Sequence, residues 1–294
     1  MDKLKIWVEN IDKPLIMLHS GAGRVLSGYT REKRMQRQQL LANFTQESYK
    51  ILLAENSRKA VLHALIQMEN QPDFFNAGIG SKLQMDGKVR VSAAMMDGSK
   101  QKISAVYNAE ELKNPSIIAD FLLEKRDRNV DGTGSDILRI KLGIGRTNLV
   151  TEKQLKLWQK KIEGKTGTVG AVAIDKNGNL FAGTSTGGKG FEFPGRVSDT
   201  PTPAGNFATP NIAISATGKG EQILDINLCG AIAYKFSTGE TLFNAIHESL
   251  MLLPPEKTEI GIIAITNTGD VGFAFTSEGM NVGIAYGKNS LLML

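Results

Sequence analysis

The sequence predicts a single α+β domain built as a layered sandwich, and three observations support that fold class. Apolar residues make up 41% of the 294 residues and charged residues 22%, which is near globular averages and enough to bury a sizeable core. Segments with helical periodicity come in pairs along the chain. The strand-like segments between those pairs suit antiparallel sheets, so a layered α+β sandwich over residues 1–294 fits better than a parallel βαβ fold.

Hydrophobic periodicity predicts the individual elements. A period of about 3.6 residues marks helices, whereas alternation or a short apolar run marks strands. Helices are predicted at 31–54, 57–69, 135–142, 152–161, 223–234 and 241–252, with one more opening at Asn114-Pro115. Strands are predicted at 14–18, 89–96, 102–108, 210–217, 260–265, 271–275 and 280–286. Turns of small residues are predicted at 19–23 and 75–81.

The centre of the chain predicts a β-hairpin. One strand begins at Thr168, and an Asn177-Gly178 pair separates it from a second run at 179–185. Asn-Gly favours a two-residue type I′ turn, because both residues tolerate positive φ. The hydroxyl-rich segment 184–188 therefore ends the second strand at the same end of the hairpin as Thr168.

The setting of Thr168 favours a functional explanation. Threonine is a good strand former, and taken alone that ordinary explanation would be sufficient. However, Gly167 precedes it and allows close approach, and the charged segment 151–165 is typical of a surface linker that can be cut. Cleavage between Gly167 and Thr168 would give Thr168 a free α-amine beside its own hydroxyl, which is a known way to activate a weak nucleophile.

Composition argues against several classes of partner and location. The net charge is +5, but the basic clusters at 31–37 and 153–165 have helix-like spacing without interleaved aromatics. We interpret them as solvated helix faces and predict no nucleic-acid partner. The single cysteine, Cys229, indicates a reducing compartment. The charged N-terminus does not fit a signal peptide, and no apolar run approaches the roughly 20 residues that span a bilayer. We therefore predict a cytoplasmic protein without a membrane partner.

Two motifs overlap at residues 183–189. The segment matches the G-x-S-x-G nucleophile elbow around Ser185, with Asp225 and His247 as triad partners in chain order. The elbow requires a helix after the turn, and residues 190–195 cannot start one. The segment also nearly matches the P-loop motif G-x-x-x-x-G-K, which likewise requires a helix after the loop. Both matches are predicted to be accidental.

The histidines and the cysteine do not suggest a reactive or metal site. His19, His63 and His247 lie far apart without ligand-like spacing, so we predict structural roles for them and no metal. Cys229 lies in an apolar helical segment and is predicted to be a core residue.

Several segments combine into a more specific signal. They keep a fixed order over most of the chain: residues 19–23, 75–81, 96–98, 167–175, 184–188, 195–199 and 217–221. Together they resemble the plant-type L-asparaginase and isoaspartyl peptidase family of N-terminal nucleophile hydrolases. The resemblance implies a four-layer αββα sandwich. It also implies a precursor that cuts itself into residues 1–167 and 168–294, with the pieces held together as a dimer of such pairs.

The resemblance implies catalytic roles for the matching residues. Thr168 would be the nucleophile, with its freed amine as general base, and Thr186 would support its hydroxyl. Thr217 and the Gly218 amide would form the oxyanion hole with help from Asn76. These residue types suit the chemistry, because an α-amine titrates near 8 and the branched Cβ of threonine restricts its rotamer.

The resemblance also implies a clamp for an amino acid. Arg196 would bind the α-carboxylate of the substrate, while Asp199 and the Gly220 carbonyl would hold its α-ammonium. Arginine offers a carboxylate a bidentate fork. The ordinary alternative for Arg196 and Asp199 is a surface salt bridge.

The sequence departs from the family pattern at several places. Ser20 stands where the first turn usually has glycine, and Ser92 stands where aspartate is usual. The segment 69–75 is one residue longer than the sodium-holding loop of the family, so we predict no cofactor and treat a structural sodium ion as doubtful. Residues 189–193 and 201–204 also differ, which leaves the leaving-group preference open.

The predicted function is hydrolysis of β-aspartyl amide bonds in isoaspartyl dipeptides, L-asparagine, or both. One alternative is a glycosylasparaginase-like enzyme or a threonine protease of the same superfamily. Another is a catalytically silent amino-acid-binding homologue that keeps the clamp and has lost processing. Composition does not separate these alternatives.

Overall fold

A computed structural model describes residues 4–23, 30–161, 167–254, 258–287 and 289–293. The helices are α1 (Arg31–Ala54), α2 (Ser57–Glu69), α3 (Pro115–Leu122), α4 (Gly132–Lys141), α5 (Glu152–Gln159), α6 (Gly220–Asp225), α7 (Leu228–Ser237) and α8 (Leu242–Leu250). The strands are β1 (Lys5–Asn10), β2 (Leu15–Gly23), β3 (Val91–Asp97), β4 (Lys102–Ala109), β5 (Asn129–Val130), β6 (Val169–Ile174), β7 (Leu180–Thr186), β8 (Asn206–Ala208), β9 (Ile212–Gly218), β10 (Ile260–Thr266), β11 (Asp270–Phe275), β12 (Gly279–Tyr286) and β13 (Asn289–Met293).

Two sheets stack face to face between two layers of helices. The larger sheet has the order β13-β12-β2-β6-β7-β3-β4-β5, and the smaller has the order β1-β11-β10-β9-β8. One apolar cluster joins α1, α2 and α3 to the larger sheet, and another joins α7 and α8 to the smaller sheet. A third apolar cluster lies between the sheets. These layers confirm the predicted αββα sandwich.

The helix pair α1 and α2 matches its predicted bounds because both starts are capped. The Thr30 hydroxyl accepts from the Lys33 amide at 3.3 Å, and the Asn56 side chain accepts from the Lys59 amide at 3.0 Å. Such side chains satisfy amides that have no partner inside the helix. On the larger sheet, α2 packs on the hairpin of β6 and β7, and α1 packs on the neighbouring strands β2 and β12.

The hairpin has a wider turn than the predicted type I′ turn. The Gly178 amide donates to the Asp175 carbonyl at 2.9 Å, and Gly178 has φ +81°. The Asp175 carboxylate also accepts from the amides of Asn177 and Asn179, at 2.9 and 3.0 Å. A three-residue loop with one glycine at positive φ is the usual alternative to the two-residue turn. The type I′ prediction was wrong because it ignored the Asp175 side chain.

The predicted helix at 223–234 is two helices, α6 and α7. Asn227 lies between them with φ +47°, a left-handed conformation that asparagine adopts more readily than most residues. The Cys229 amide donates to the Ala204 carbonyl at 3.0 Å, which fixes the start of α7. Hydrophobic periodicity continues across the break, so the pattern alone did not show it.

The segment 19–23, predicted as a turn, is the buried second half of β2. It pairs with β12 on one side, and on the other side His19 pairs with Gly170 of β6. Small residues fit here because both faces of the strand are covered. The short strands β1, β5, β8 and β13 were not predicted.

Part of the predicted surface linker at 151–165 lies outside the described residues. Its described part contains α5, which has no buried residue but is anchored by Trp158, whose Nε1 donates to the Gln84 carbonyl at 2.9 Å. In the basic cluster at 31–37, Arg37 is buried and donates to the Ser20 carbonyl, which corrects the prediction of a fully solvated face. Within the described ranges, no helix is long and apolar enough to cross a membrane.

Candidate active site

The hairpin places two threonine hydroxyls side by side. Val169 pairs with Ser185, so Thr168 and Thr186 are neighbours at the same end of the hairpin. Thr168 Oγ1 donates to Thr186 Oγ1 at 3.1 Å, and Thr186 Oγ1 also accepts from the Gly188 amide at 3.2 Å. Both threonines are buried. The Thr168 hydroxyl is therefore held in one orientation, as a nucleophile requires.

The peptide between Gly167 and Thr168 lies in a tight backbone environment. A Cβ added to Gly167 would lie 2.8 Å from the Cβ of Asn76. A Cβ added to Gly21 would lie 3.1 Å from the Cα of Gly167, and Gly21 has φ +107°. Glycine is required where backbones approach this closely at positive φ. The predicted cleavage bond is thus enclosed by β2 and the 75–81 loop.

Asn76 lies beside this peptide, but its amide already has partners. Its Nδ2 donates to the Gly188 carbonyl at 2.5 Å, and its Oδ1 accepts from the Lys82 amide at 3.1 Å. The Nδ2 group carries a second N–H besides the one bonded to Gly188, and an oxyanion would need that donor. The oxyanion role of Asn76 stays a prediction.

The smaller sheet contributes Thr217 and Gly218. Thr217 Oγ1 accepts from the Ala22 amide at 3.4 Å and donates to the Thr168 carbonyl at 3.5 Å. Gly218 has φ +140°, and a Cβ there would lie 2.2 Å from a backbone carbonyl oxygen, so only glycine fits. Helix α6 begins at Gly220, two residues after Gly218 and three residues before the predicted start at 223. A hydroxyl from one sheet thereby reaches the nucleophile candidate of the other.

A pocket of about 290 Å³ opens beside Thr168. Predicted site residues form much of its wall: Thr168, Thr186, Arg196, Asp199, Gly218 and Gly220. Asn76 and Thr217 are not among the residues that line this pocket. The pocket therefore joins the candidate nucleophile to the predicted clamp.

Arg196 and Asp199 converge at Gly220. A Cβ added to Gly220 would lie 2.7 Å from Asp199 Oδ1 and 2.8 Å from Arg196 Nη2. Both side chains are largely buried. No salt bridge between these two residues occurs in the described part of the chain, which argues against a simple surface pair. Asp199 Oδ2 has no hydrogen-bond partner among the described residues.

Sequence reasoning missed Glu221 as the partner of Arg196. Arg196 Nε and Nη2 donate to the two carboxylate oxygens of Glu221, at 2.6 and 2.9 Å. These hydrogen bonds lower the pKa of Glu221. Burial would lower the pKa of Arg196, but the bonds and charge of Glu221 outweigh it and raise that pKa. Glu221 directly follows Gly220 in a matched segment, which was the available signal.

Burial also sets the charge state of Asp199. It raises the pKa of Asp199 to about 7, and the nearby Arg196 opposes that shift. A ligand cation in the pocket would favour the ionised carboxylate. Asp199 is therefore suited to bind an ammonium group.

His19 lies beneath the site in a buried hydroxyl network between the sheets. His19 Nε2 and Ser215 Oγ are 2.9 Å apart, and Ser215 Oγ lies 2.8 Å from Thr184 Oγ1. Burial lowers the pKa of His19 to about 3, against a smaller opposing effect of the Thr168 backbone. The ring is therefore neutral and joins the two sheets, in keeping with a structural role.

The motifs set aside occupy structural positions. Ser185 Oγ donates to the buried Glu69 carboxylate at 2.8 Å, and no helix follows β7 directly in the described part of the chain. Cys229 is fully buried in α7. At the two departures from the family pattern, Ser92 Oγ accepts from the Asn108 amide at 3.0 Å, whereas the buried Ser20 Oγ has no hydrogen-bond partner among the described residues.

Two carbonyls of the segment 69–75 accept hydrogen bonds from other groups of the chain. The Glu69 carbonyl accepts from the Ile79 amide at 3.0 Å, and the Asp73 carbonyl accepts from the Lys153 ammonium at 3.1 Å. A lysine cation at this position would repel a metal cation. Among the described residues, no cluster of His, Cys, Asp or Glu has metal-binding geometry. The absence of a cofactor stays a prediction.

Comparisons with known proteins agree with this geometry. The family model described as asparaginase matches residues 12–166 and 160–293. An isoaspartyl peptidase/L-asparaginase of Nostoc sp. is 35% identical over 288 residues, which cover 90% of both chains. The Synechocystis sp. protein of the same name is 34% identical over 90% of this chain and 85% of its own. The Homo sapiens protein of that name is 32% identical over 91% of both. This chain therefore belongs to the asparaginase family of N-terminal nucleophile hydrolases that its sequence resembles.

Proposed function

We propose that this protein hydrolyses β-aspartyl amide bonds, in isoaspartyl dipeptides, L-asparagine or both. The observation that supports it most directly is one pocket that holds the paired hydroxyls of Thr168 and Thr186 and the convergent charges of Arg196 and Asp199. A nucleophile beside a zwitterion clamp suits an amide of an amino-acid side chain. The relatives named isoaspartyl peptidase/L-asparaginase support the same substrate class.

Maturation is the first step of the proposal. Thr168 Oγ1 attacks the carbonyl carbon of Gly167, the C–N bond breaks, and the Thr168 nitrogen leaves as an amine. Water then hydrolyses the resulting ester, which gives residues 1–167 and 168–294. The Thr168 hydroxyl regains its proton and now has a free α-amine as its base.

Substrate hydrolysis repeats this chemistry on a bound amide. The α-amine accepts the proton of Thr168 Oγ1 as the oxygen attacks the β-carbonyl carbon. Thr217 and the Gly218 amide stabilise the developing oxyanion. The leaving amine takes that proton as it departs, and water releases aspartate from the acyl-enzyme.

The clamp explains selection for β-linked substrates. Arg196 binds the α-carboxylate, while Asp199 and the Gly220 carbonyl bind the α-ammonium. A β-linked N-terminal aspartyl residue has both groups free, whereas an α-peptide has used its carboxylate. The test is release of free aspartate from β-Asp-Leu, α-Asp-Leu and L-asparagine by the purified protein. Hydrolysis of neither β-amide substrate would contradict the proposal and favour a silent binding homologue.

Assembly and location complete the proposal. The processed pieces stay together because strands of both pieces alternate in the larger sheet, where β2 pairs with β6 and β3 pairs with β7. We infer a dimer of such pairs, which light scattering of the purified protein would test. The buried free thiol of Cys229 is consistent with a reducing compartment such as the cytoplasm. Cell fractionation would test this location.

A further inference from the structure

One hydroxyl of the pocket is buried without a protein partner. Ser198 lines the pocket beside Thr168 and is only 7% exposed. No group in the described part of the chain forms a hydrogen bond with its Oγ. Buried hydroxyls in native proteins are normally paired, and an exception needs an explanation. A ligand group in the pocket would supply the missing partner.

The position of Ser198 indicates which part of a ligand it meets. It lies in sequence between Arg196 and Asp199, and all three line the same pocket. Asp199 Oδ2 also has no hydrogen-bond partner among the described residues. Two adjacent residues that line the pocket thus each have a buried polar atom without a partner, beside the place expected for the amino-acid end of the substrate.

The chemistry of the neighbours favours a carboxylate as the partner of Ser198. Glu221 already occupies the Nε and Nη2 edge of Arg196. Arg196 can therefore offer a substrate carboxylate only its remaining edge, and a carboxylate has about four lone-pair sites to satisfy. Asp199 cannot help, because it would repel a second anion. The Ser198 hydroxyl, two residues from Arg196 on the same pocket, is a donor for one of these sites.

We propose that Ser198 is a substrate-binding residue that donates a hydrogen bond to the α-carboxylate of the β-aspartyl group, beside Arg196. This inference rests on the proposed function, because it takes the position of the α-carboxylate from it. Ser198 thereby helps to discriminate aspartyl substrates from amides without an α-carboxylate.

The test compares three ligands on the purified, processed protein by calorimetry. L-Aspartate carries both α-groups, succinate lacks the ammonium, and β-alanine lacks the α-carboxylate. Ser198→Ala should weaken the binding of L-aspartate and of succinate by about tenfold or more, since hydrogen bonds to charged groups are stronger than those between neutral groups. The affinity for β-alanine should not change. Ser198→Thr keeps the hydroxyl and should retain an affinity for L-aspartate within about threefold of the original.

The matched control is Thr200→Val. Thr200 lies in the same loop, is fully buried, and has a hydroxyl without a partner among the described residues, but it does not line the pocket. This variant should bind all three ligands as the original protein does. With a β-aspartyl dipeptide, Ser198→Ala should raise KM by about tenfold and leave kcat nearly unchanged.

Two results would overturn the inference. One is binding of L-aspartate and succinate by Ser198→Ala with unchanged affinity. The other is a loss of affinity confined to L-aspartate and β-alanine, which would indicate that the Ser198 hydroxyl contacts the ammonium group of the ligand. If Ser198→Ala does not fold, Ser198→Gly gives the same comparison. A protein that binds L-aspartate through Ser198 without hydrolysing β-aspartyl dipeptides would contradict the proposed function alone.

Discussion

At the scale of single residues, the proposed catalysis depends on how Thr168 is held. Its hydroxyl donates to Thr186, which is itself fixed by the Gly188 amide. The branched Cβ restricts the Thr168 rotamer, so little entropy is lost when the hydroxyl is aimed. The α-amine freed by cleavage would titrate near 8, close enough to neutrality to accept a proton.

The first prediction compares Thr168 with Ser185. Thr168→Ala should abolish both chain cleavage and β-aspartyl hydrolysis, because it removes the attacking oxygen. Ser185→Ala should retain substantial cleavage, since the Ser185 hydroxyl is bonded to Glu69 and lies outside the pocket wall. Denaturing gels and aspartate release measure both. An inactive Ser185→Ala protein beside an active Thr168→Ala protein would restore the nucleophile-elbow interpretation.

The second prediction concerns the clamp. Arg196→Ala should erase most of the preference for β-Asp-Leu over α-Asp-Leu, because losing one member of a desolvated charge pair costs about 2–5 kcal/mol. The ratio of kcat/KM values for the two isomers is the measurement. Arg146→Ala is a suitable control, since Arg146 is exposed and paired with Glu111 and Asp136 outside the pocket. Equal turnover of both isomers by the original protein would contradict the clamp.

At the scale of elements, the break between α6 and α7 is set by one residue. Asn227 has φ +47°, and its side chain forms no capping hydrogen bond. Its role is therefore to adopt a backbone conformation that β-branched residues avoid.

The third prediction follows from that conformation. Asn227→Val should lower the free energy of unfolding by about 1–2 kcal/mol, whereas Asn227→Gly should change it little. Urea unfolding in a Thr168→Ala background keeps the chain in one piece for the comparison. Equal destabilisation by both substitutions would indicate that the asparagine side chain, not its φ angle, holds the break.

Much of the fold could be predicted from the sequence where a local pattern alone determines the element. Helices α1 and α2 have strong periodicity and capping residues, and β10 to β12 are clearly apolar runs. The hairpin turn was missed because the Asp175 side chain redirects the backbone, which periodicity does not show. Strand β1 was missed because it exists through pairing with the distant β11, and strand β8 because it is only three residues long.

At the scale of the whole molecule, the site exists only where the two sheets meet. Thr168 belongs to the hairpin of the larger sheet, while Thr217 and Gly218 end β9 in the smaller one. The sequence motifs identified these residues one segment at a time and did not show that they lie next to each other. Neither the Arg196–Glu221 pair nor the unpaired Ser198 hydroxyl followed from spacing, because both depend on which side chains the fold brings to one pocket.

The fourth prediction concerns His19, which joins the sheets in neutral form. Its pKa is about 3 in the folded chain, against 6.5 in the unfolded chain. The unfolded state therefore binds the extra proton first, and the contribution of His19 to stability is complete above pH 6.5 and lost as pH falls toward 3.

Comparison with His19→Gln isolates this contribution. In a Thr168→Ala background, the stability difference between the chain that keeps His19 and the His19→Gln variant should fall by about 2–3 kcal/mol from about pH 7 to about pH 4. Urea unfolding at both pH values measures it. The raised pKa values of Glu69 and Asp199 act in the opposite direction but are common to both chains. A difference that does not depend on pH would contradict a neutral, buried His19.

The central claim is that Thr168 becomes the N-terminal residue of an active protein. The most direct measurement is the intact mass of the purified protein under denaturing conditions, together with N-terminal sequencing of its fragments. We expect fragments of residues 1–167 and 168–294, the second beginning Thr-Val-Gly-Ala. A chain that stays intact, or one cut at another bond, would contradict it.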